Sequence, residues 1–170
     1  MTGLPDEQVA LFDAEGRVVG SAPRSVVRAS NLHHGATAIV VRDRHRRLYV
    51  HRRTPTKDVY PGLLDFCAGG VIQAGEEPTE SAVREAEEEL GVNGVPLVPV
   101  AQDRYSDAHT SYHAFLFVAD YDGPIRWQPE EVAWGGWVPL GELLRHLDEA
   151  PDDFVPDSRA LWQDRLAALA

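Results

Sequence analysis

The 170-residue chain has one cysteine, Cys67, and one methionine, at its start. A lone cysteine closes no internal disulfide, so the fold has to rest on a packed core, and the pattern suits a reducing compartment. No apolar run approaches the roughly 18 residues that span a bilayer. The opening stretch, Met1 to Gly16, carries acids where a secretory leader would carry basic and then apolar residues. These absences predict a cytoplasmic protein with no membrane partner. Basic residues are also few, 16 against 27 acids, for a formal charge of -11. Without a basic field to replace phosphate counterions, general nucleic-acid binding is excluded, and a phosphorylated ligand would need metal cations or a few placed arginines. Repeats and low-complexity segments are absent. With 44% apolar residues, the length supports one full core. A single domain over 1–170 is expected, as monomer or homodimer.

Short apolar runs at Val9 to Phe12 and Arg17 to Gly20, joined by Asp13 to Gly16, predict a hairpin within an N-terminal extension over 1–30. Pro23 to Ala29 reads as one or two helical turns. Strands are predicted at Ala36 to Val41, Leu48 to Arg53, Leu63 to Phe66, Pro96 to Gln102, Ser111 to Tyr121 and Ala133 to Val138. Helices are predicted at Pro78 to Leu90, Leu140 to Leu147 and Pro156 to Leu169. Strands and helices interleave, with hairpins among them, which points to an α/β architecture of a mixed β-sheet covered by helices.

The most informative segment runs from Gly70 to Val92. Gly70, Glu76, Arg84, Glu85, Glu88, Glu89 and Gly91 stand at intervals that a random chain of this length would supply about once in a million. Pro78 suits a first helical position, Glu80 favours the helix N-terminus, and Gly91 suits a helix end. At about 100° per residue, Arg84, Glu88 and Glu89 lie at about -100°, -60° and +40° from Glu85, so the charges share one stripe. Val83, Ala86 and Leu90 fall beside it and are expected to dock on the sheet. An isolated acidic run is usually a solvated face. Here adjacent carboxylates repel by roughly 2 to 4 kcal/mol per pair, and a divalent cation such as Mg²⁺ or Mn²⁺ relieves such a cluster of hard oxygens.

This segment resembles the signature of the Nudix hydrolase family: G, five residues, E, seven residues, REU, one residue, EE, one residue, GU, with U a bulky aliphatic. Every fixed position is met, and Ala86 stands where a larger aliphatic is usual. The resemblance implies a Nudix-type α/β/α sandwich and hydrolysis of a nucleoside di- or triphosphate, or a related nucleoside diphosphate derivative, at a phosphoanhydride bond. It implies Glu85, Glu88 and Glu89 as metal ligands with the Gly69 carbonyl, Arg84 as the holder of a box carboxylate, and Glu76 as an orienting group. The residue that takes the proton from water is left between Glu85 and a downstream acid, Glu130 or Glu131. The alternative for Arg84 is an ordinary helical pair with Glu88, and for Glu131 an exposed loop.

Outside the box, Arg52, Arg53 and Lys57 are candidates to offset substrate charge, with Gly70 beside them, or else are strand-end surface charges. Phe66, Tyr105, Tyr112 and Trp134 are candidates for base stacking or for the core. The SQPWPFPxS motif of the NADH-cleaving branch does not follow the box. The flanks His33 to Thr37, Arg52-Arg53 and Tyr60 to Cys67 also resemble isopentenyl-diphosphate isomerase, which shares the fold, uses a cysteine near this position and has a degraded box. The intact glutamates favour hydrolysis, leaving Cys67 a small buried residue and His34 a hydrogen-bonded strand-end histidine. A non-catalytic nucleotide sensor is the third reading, and it would have lost box carboxylates.

Overall fold

The computed structural model of the chain describes residues 6–170. The first five residues of the expected N-terminal extension lie outside the described residues. Two strands, β1 (Gln8–Phe12) and β2 (Val18–Pro23), form the expected hairpin. Its turn closes on Asp13, whose Oδ1 accepts the N–H groups of Glu15 and Arg17 at 2.9 Å each. A short helix follows, α1 (Arg24–Ser30). Then come β3 (His34–Arg42), β4 (Arg47–Arg53), β5 (Leu64–Asp65), β6 (Ala68–Val71), helix α2 (Pro78–Leu90), β7 (Leu97–Ser106), β8 (Ser111–Asp120) and β9 (Val132–Pro139). Helices α3 (Leu140–Glu149) and α4 (Pro156–Trp162) complete the order.

The hub of the sheet is β3. It pairs antiparallel with β6 and β1 and parallel with β8 along its whole length. A strand enclosed in this way has to be apolar on both faces, and eight of its nine residues are buried. Its residues alternate between two cores: Ala36, Ala38 and Val40 face the cluster that includes α3 and α4, while Ile39 and Val41 face the one that includes α2. β8 follows the same rule, with Leu116 and Val118 on one side and Phe117 and Ala119 on the other. The result is the expected α/β/α sandwich on a mixed sheet.

Two expectations are corrected. Helix α2 docks through Ala82, Ala86 and Leu90, while Val83 is 47% exposed. Small residues at 82 and 86 let the helix lie close to the sheet, where Ile39, Tyr49 and Phe117 supply the bulk. The usual larger aliphatic at 86 is thereby replaced from the other side of the contact. The expected helix over Pro156 to Leu169 stops at Trp162 and resumes as a 3₁₀ turn over Leu166–Leu169. Between them Arg165 reaches Asp103 at 3.1 Å and its N–H bonds the Trp162 carbonyl, which tightens the winding. Gly69 and Gly70 lie on a strand of their own, β6, and a Cβ at Gly69 would run into the Thr37 backbone carbonyl.

Candidate functional site

Strands β3 and β4 pair only at Arg42 and Leu48 and then part. β4 continues with β5 and β9, β3 with β6 and β8, and residues 64–71 cross the gap between them. A cavity of about 240 Å³ lies in this opening. Gly69, Gly70, Glu85, Glu88 and Glu89 all line it, together with Arg84.

Arg84 organises the acidic side. Its Nε and Nη2 clasp both oxygens of Glu76 at 2.8 and 3.0 Å, and its Nη1 reaches Glu85 at 2.7 Å and Glu88 at 3.3 Å. Nη2 also donates to the Val71 carbonyl at 3.2 Å. Glu76 is itself held by the Gln73 N–H at 3.0 Å. A bidentate guanidinium of this kind positions its carboxylates as well as neutralising them. Both the helical pair with Glu88 and the longer-range clasp of Glu76 are therefore present.

The glutamates differ in environment. Burial, aided by the charges of Glu89 and Glu88, pushes Glu85 up to about 7 against the pull of Arg84. Burial also works to raise Glu89, but the adjacent His51, with the charges of Lys57 and Arg53 adding, outweighs it and holds that carboxyl below its ordinary value. His51 Nε2 lies 3.2 Å from Glu89 Oε1. Glu88 is half exposed. A Cβ added at Gly70 would fall 2.6 Å from the Glu85 carboxyl, so the glycine makes the hollow that Glu85 occupies. Among the described residues no three ligating side chains already converge on one point. Arg84 engages Glu85 and Glu88, and His51 engages Glu89. The donor set nonetheless suits a hard divalent cation: carboxylate oxygens on one stripe, with the buried Glu85 short of compensating charge.

Arg53 and Lys57 also line the cavity, and Lys57 is ion-paired with Glu131, which lines it too. Glu130 contributes its backbone carbonyl to Thr54 at 2.9 Å. Arg52, expected beside Arg53, is not at the cavity; it donates to the Gly62 carbonyl at 2.8 Å. Alternation explains the split, since successive residues on β4 point to opposite faces. Tyr49 shares the α2 cluster with Ala82 and Leu90, and Leu48 and Val50 belong to the other. Of the aromatic candidates, Phe66 and Tyr112 are core, Tyr105 packs against that core, and Trp134 is 52% exposed opposite Arg52. Only Tyr112 of the four borders the cavity, with its hydroxyl donated to Asp157 at 2.7 Å. His34 is buried with Nδ1 2.9 Å from the Leu32 carbonyl, and burial pushes it down to about 4.

Several cavity residues carried no local signal. Arg24, Arg28, Asp65 and Asp157 reach it only through strand pairing and helix docking, as His51 reaches Glu89. Asp65 Oδ1 accepts from the Cys67 N–H at 2.9 Å and from Ser158 Oγ at 2.7 Å. Cys67 is buried as expected, yet it borders the cavity, and burial raises its thiol well above the ordinary value. Burial likewise pushes Asp65 up to about 6, with the charge of Asp157 adding to it.

A carboxyl raised in the folded state above its unfolded value near 3.9 gives stability that is present below about pH 4 and lost as pH rises through about 6, on the order of 2 to 3 kcal/mol. Asp65→Asn keeps the Oδ1 acceptor and removes the charge. Its urea midpoint is expected to fall less between pH 4 and 8 than that of the wild type. Parallel curves for the two proteins would show that Asp65 is not the group responsible.

The family model of the NUDIX domain matches residues 32–158, which run from just before β3 into the first turn of α4 and contain every box residue. The chain belongs to the Nudix family. Among its relatives, an uncharacterized Nudix hydrolase of Rhodococcus erythropolis, orf19, is 43% identical over 94% of this chain and 91% of its own length. A second, YfcD of Escherichia coli K12, is 43% identical over 95% of this chain and 89% of its own. Among solved structures, DR0079 of Deinococcus radiodurans superposes with a TM-score of 0.70 at 26% identity, covering 85% of this chain and 90% of that one. A MutT protein of Methanosarcina mazei superposes with a TM-score of 0.67 at 19% identity, covering 80% and 94%, and supports the shared fold. Nudix hydrolases generally use divalent metal ions, which agrees with the carboxylate stripe. Among the described residues, no helix is long and apolar enough to cross a membrane.

Proposed function

We propose that this Nudix protein is a cytoplasmic hydrolase that cleaves the phosphoanhydride bond of a nucleoside di- or triphosphate or a related nucleoside diphosphate derivative. The products are a nucleoside monophosphate and phosphate, diphosphate or a phosphorylated group. The reading rests on one observation above all: Glu85, Glu88 and Glu89 share a cavity with Gly69 and Gly70, and Arg84, itself clasped by Glu76, holds Glu85 and Glu88. These carboxylates, with the Gly69 carbonyl, would hold Mg²⁺, for which Mn²⁺ could substitute. A cation bound there neutralises phosphate oxygens and acidifies a water. Arg84 keeps Glu76 and Glu85 in fixed orientation through its four oxygen contacts to them and to Glu88. Glu85, whose Oε1 is taken by Arg84, and an acid from the segment before β9 are the two groups between which the proton acceptor lies. Glu131, paired with Lys57 on the same cavity, is the second acid in reach of substrate. Lys57 and Arg53 face the substrate phosphates.

Incubation with Mg²⁺ or Mn²⁺ and a panel of nucleoside di- and triphosphates, nucleotide sugars and isopentenyl diphosphate, with products resolved by ion exchange, tests this. Metal-dependent release of a nucleoside monophosphate is expected, abolished by EDTA. Isomerised isopentenyl diphosphate with no anhydride cleaved would overturn the reading in favour of the isomerase-like one.

A further inference from the structure

Helix α1 brings two arginines to the cavity that the reaction above does not use. Arg24 and Arg28 both line it and are about one-third and one-quarter exposed. They share a single carboxylate oxygen: Asp58 Oδ2 lies 3.4 Å from Arg24 Nη2 and 3.1 Å from Arg28 Nε. Arg24 also pairs with Glu7 at 3.2 Å, and Arg28 Nη1 reaches only the hydroxyl of Thr110, at 3.5 Å. Arg53 joins them from β4. Its Nε and Nη2 both donate to one neutral acceptor, the Val59 carbonyl, at 3.1 and 2.8 Å, and among the described residues it forms no ion pair. Burial holds the Arg28 guanidinium below its ordinary value in spite of Asp58, with the Arg24 and Arg53 charges adding to the effect.

Three guanidiniums therefore line one polar cavity, their only ion pairs among the described residues being those of Arg24 and Arg28 with Glu7 and Asp58, and none of the three pairs with the acids of α2. A cluster of like charges with spare donors is relieved by an oxyanion, as the acidic stripe is by a cation.

We infer that Arg24, Arg28 and Arg53 form an anion site for a further phosphoryl group of the substrate, beyond the anhydride that is cleaved. This rests on the proposed hydrolysis for its place in the reaction, but the anion site is testable without it. Asp58 occupies the site's donors in the free protein and competes with the incoming phosphoryl group.

The probe is inorganic phosphate, titrated calorimetrically into the full chain in EDTA, where metal-dependent hydrolysis cannot contribute. Saturable binding in the millimolar range or tighter is expected, with acetate at least about tenfold weaker because it lacks the tetrahedral oxygens. Arg28→Gln and Arg53→Gln should each weaken phosphate about tenfold, and Arg28→Lys should retain part of the loss. Asp58→Asn should tighten phosphate several-fold, since it frees two guanidiniums. A purely structural role for the cluster would make Asp58→Asn weaken binding along with the arginine variants. That result, absence of saturable phosphate binding by the wild type, or acetate binding as tightly as phosphate would each overturn the assignment. Metal-dependent cleavage of the substrate panel would be untouched by such a failure.

Discussion

Glu88→Gln is expected to reduce turnover of any cleaved substrate by about 10²- to 10³-fold, the loss of a few kcal/mol of transition-state stabilisation. The substitution keeps the shape of the side chain and removes one ligand charge. Glu88 suits the test because its side chain is 51% exposed, and its contact with Arg84, at 3.3 Å, is the longest of that residue's four glutamate distances. Glu76 and Glu85 continue to hold Arg84 when it is changed. Folding stability should therefore move by no more than about 0.5 kcal/mol. Steady-state kinetics over a Mg²⁺ titration, alongside a urea melt, separates the two effects. Wild-type turnover in the variant would show that the α2 stripe is not the metal site. A lost fold would be visible in the melt, and a higher Mg²⁺ requirement is the signature of a lost ligand.

Gly69→Ala is expected to have the largest effect on stability, at least about 3 kcal/mol. A Cβ there would overlap the Thr37 carbonyl oxygen, which belongs to the backbone of the central strand and cannot turn aside. Gly69 also pairs with Ala38 in the β3–β6 register, so relief would require the two strands to separate where they form a wall of the cavity. In a chain of this size the loss corresponds to a melting temperature lower by roughly 6 to 12 °C. Gly141→Ala supplies the contrast. It lies in the first turn of α3 with nothing within 4 Å of a new Cβ, and alanine there should be neutral or stabilising by about 0.5 kcal/mol. Equal melting temperatures for Gly69→Ala and the wild type would mean that β6 does not lie against β3 as described.

Legibility followed the range of the interaction. The glutamate stripe on α2 was readable because residues three and four apart on a helix are neighbours whatever the rest of the chain does. Val83 shows the limit of that reasoning. Helical phase allowed it on the docking side, but the sheet beneath accepts alanine-sized residues there, and the helix turned so that Ala82 took the contact. Arg52 and Arg53 show another. Both are basic and adjacent, and only the pairing of β4 with β9 and β5 decides which one faces the cavity.

From sequence alone came the local parts of the site: oxygen ligands at fixed helical spacing, an arginine beside them, and glycines upstream. These are local properties, carried by covalent geometry and helix periodicity. Tertiary structure alone decided what stands opposite those acids. The parting of β3 from β4 opens the cavity, the crossing of residues 64–71 lines it, and the docking of α1 brings Arg24 and Arg28 to the same space as Glu85. Contacts between residues so far apart in the chain are set by strand register and packing, and no local pattern records them.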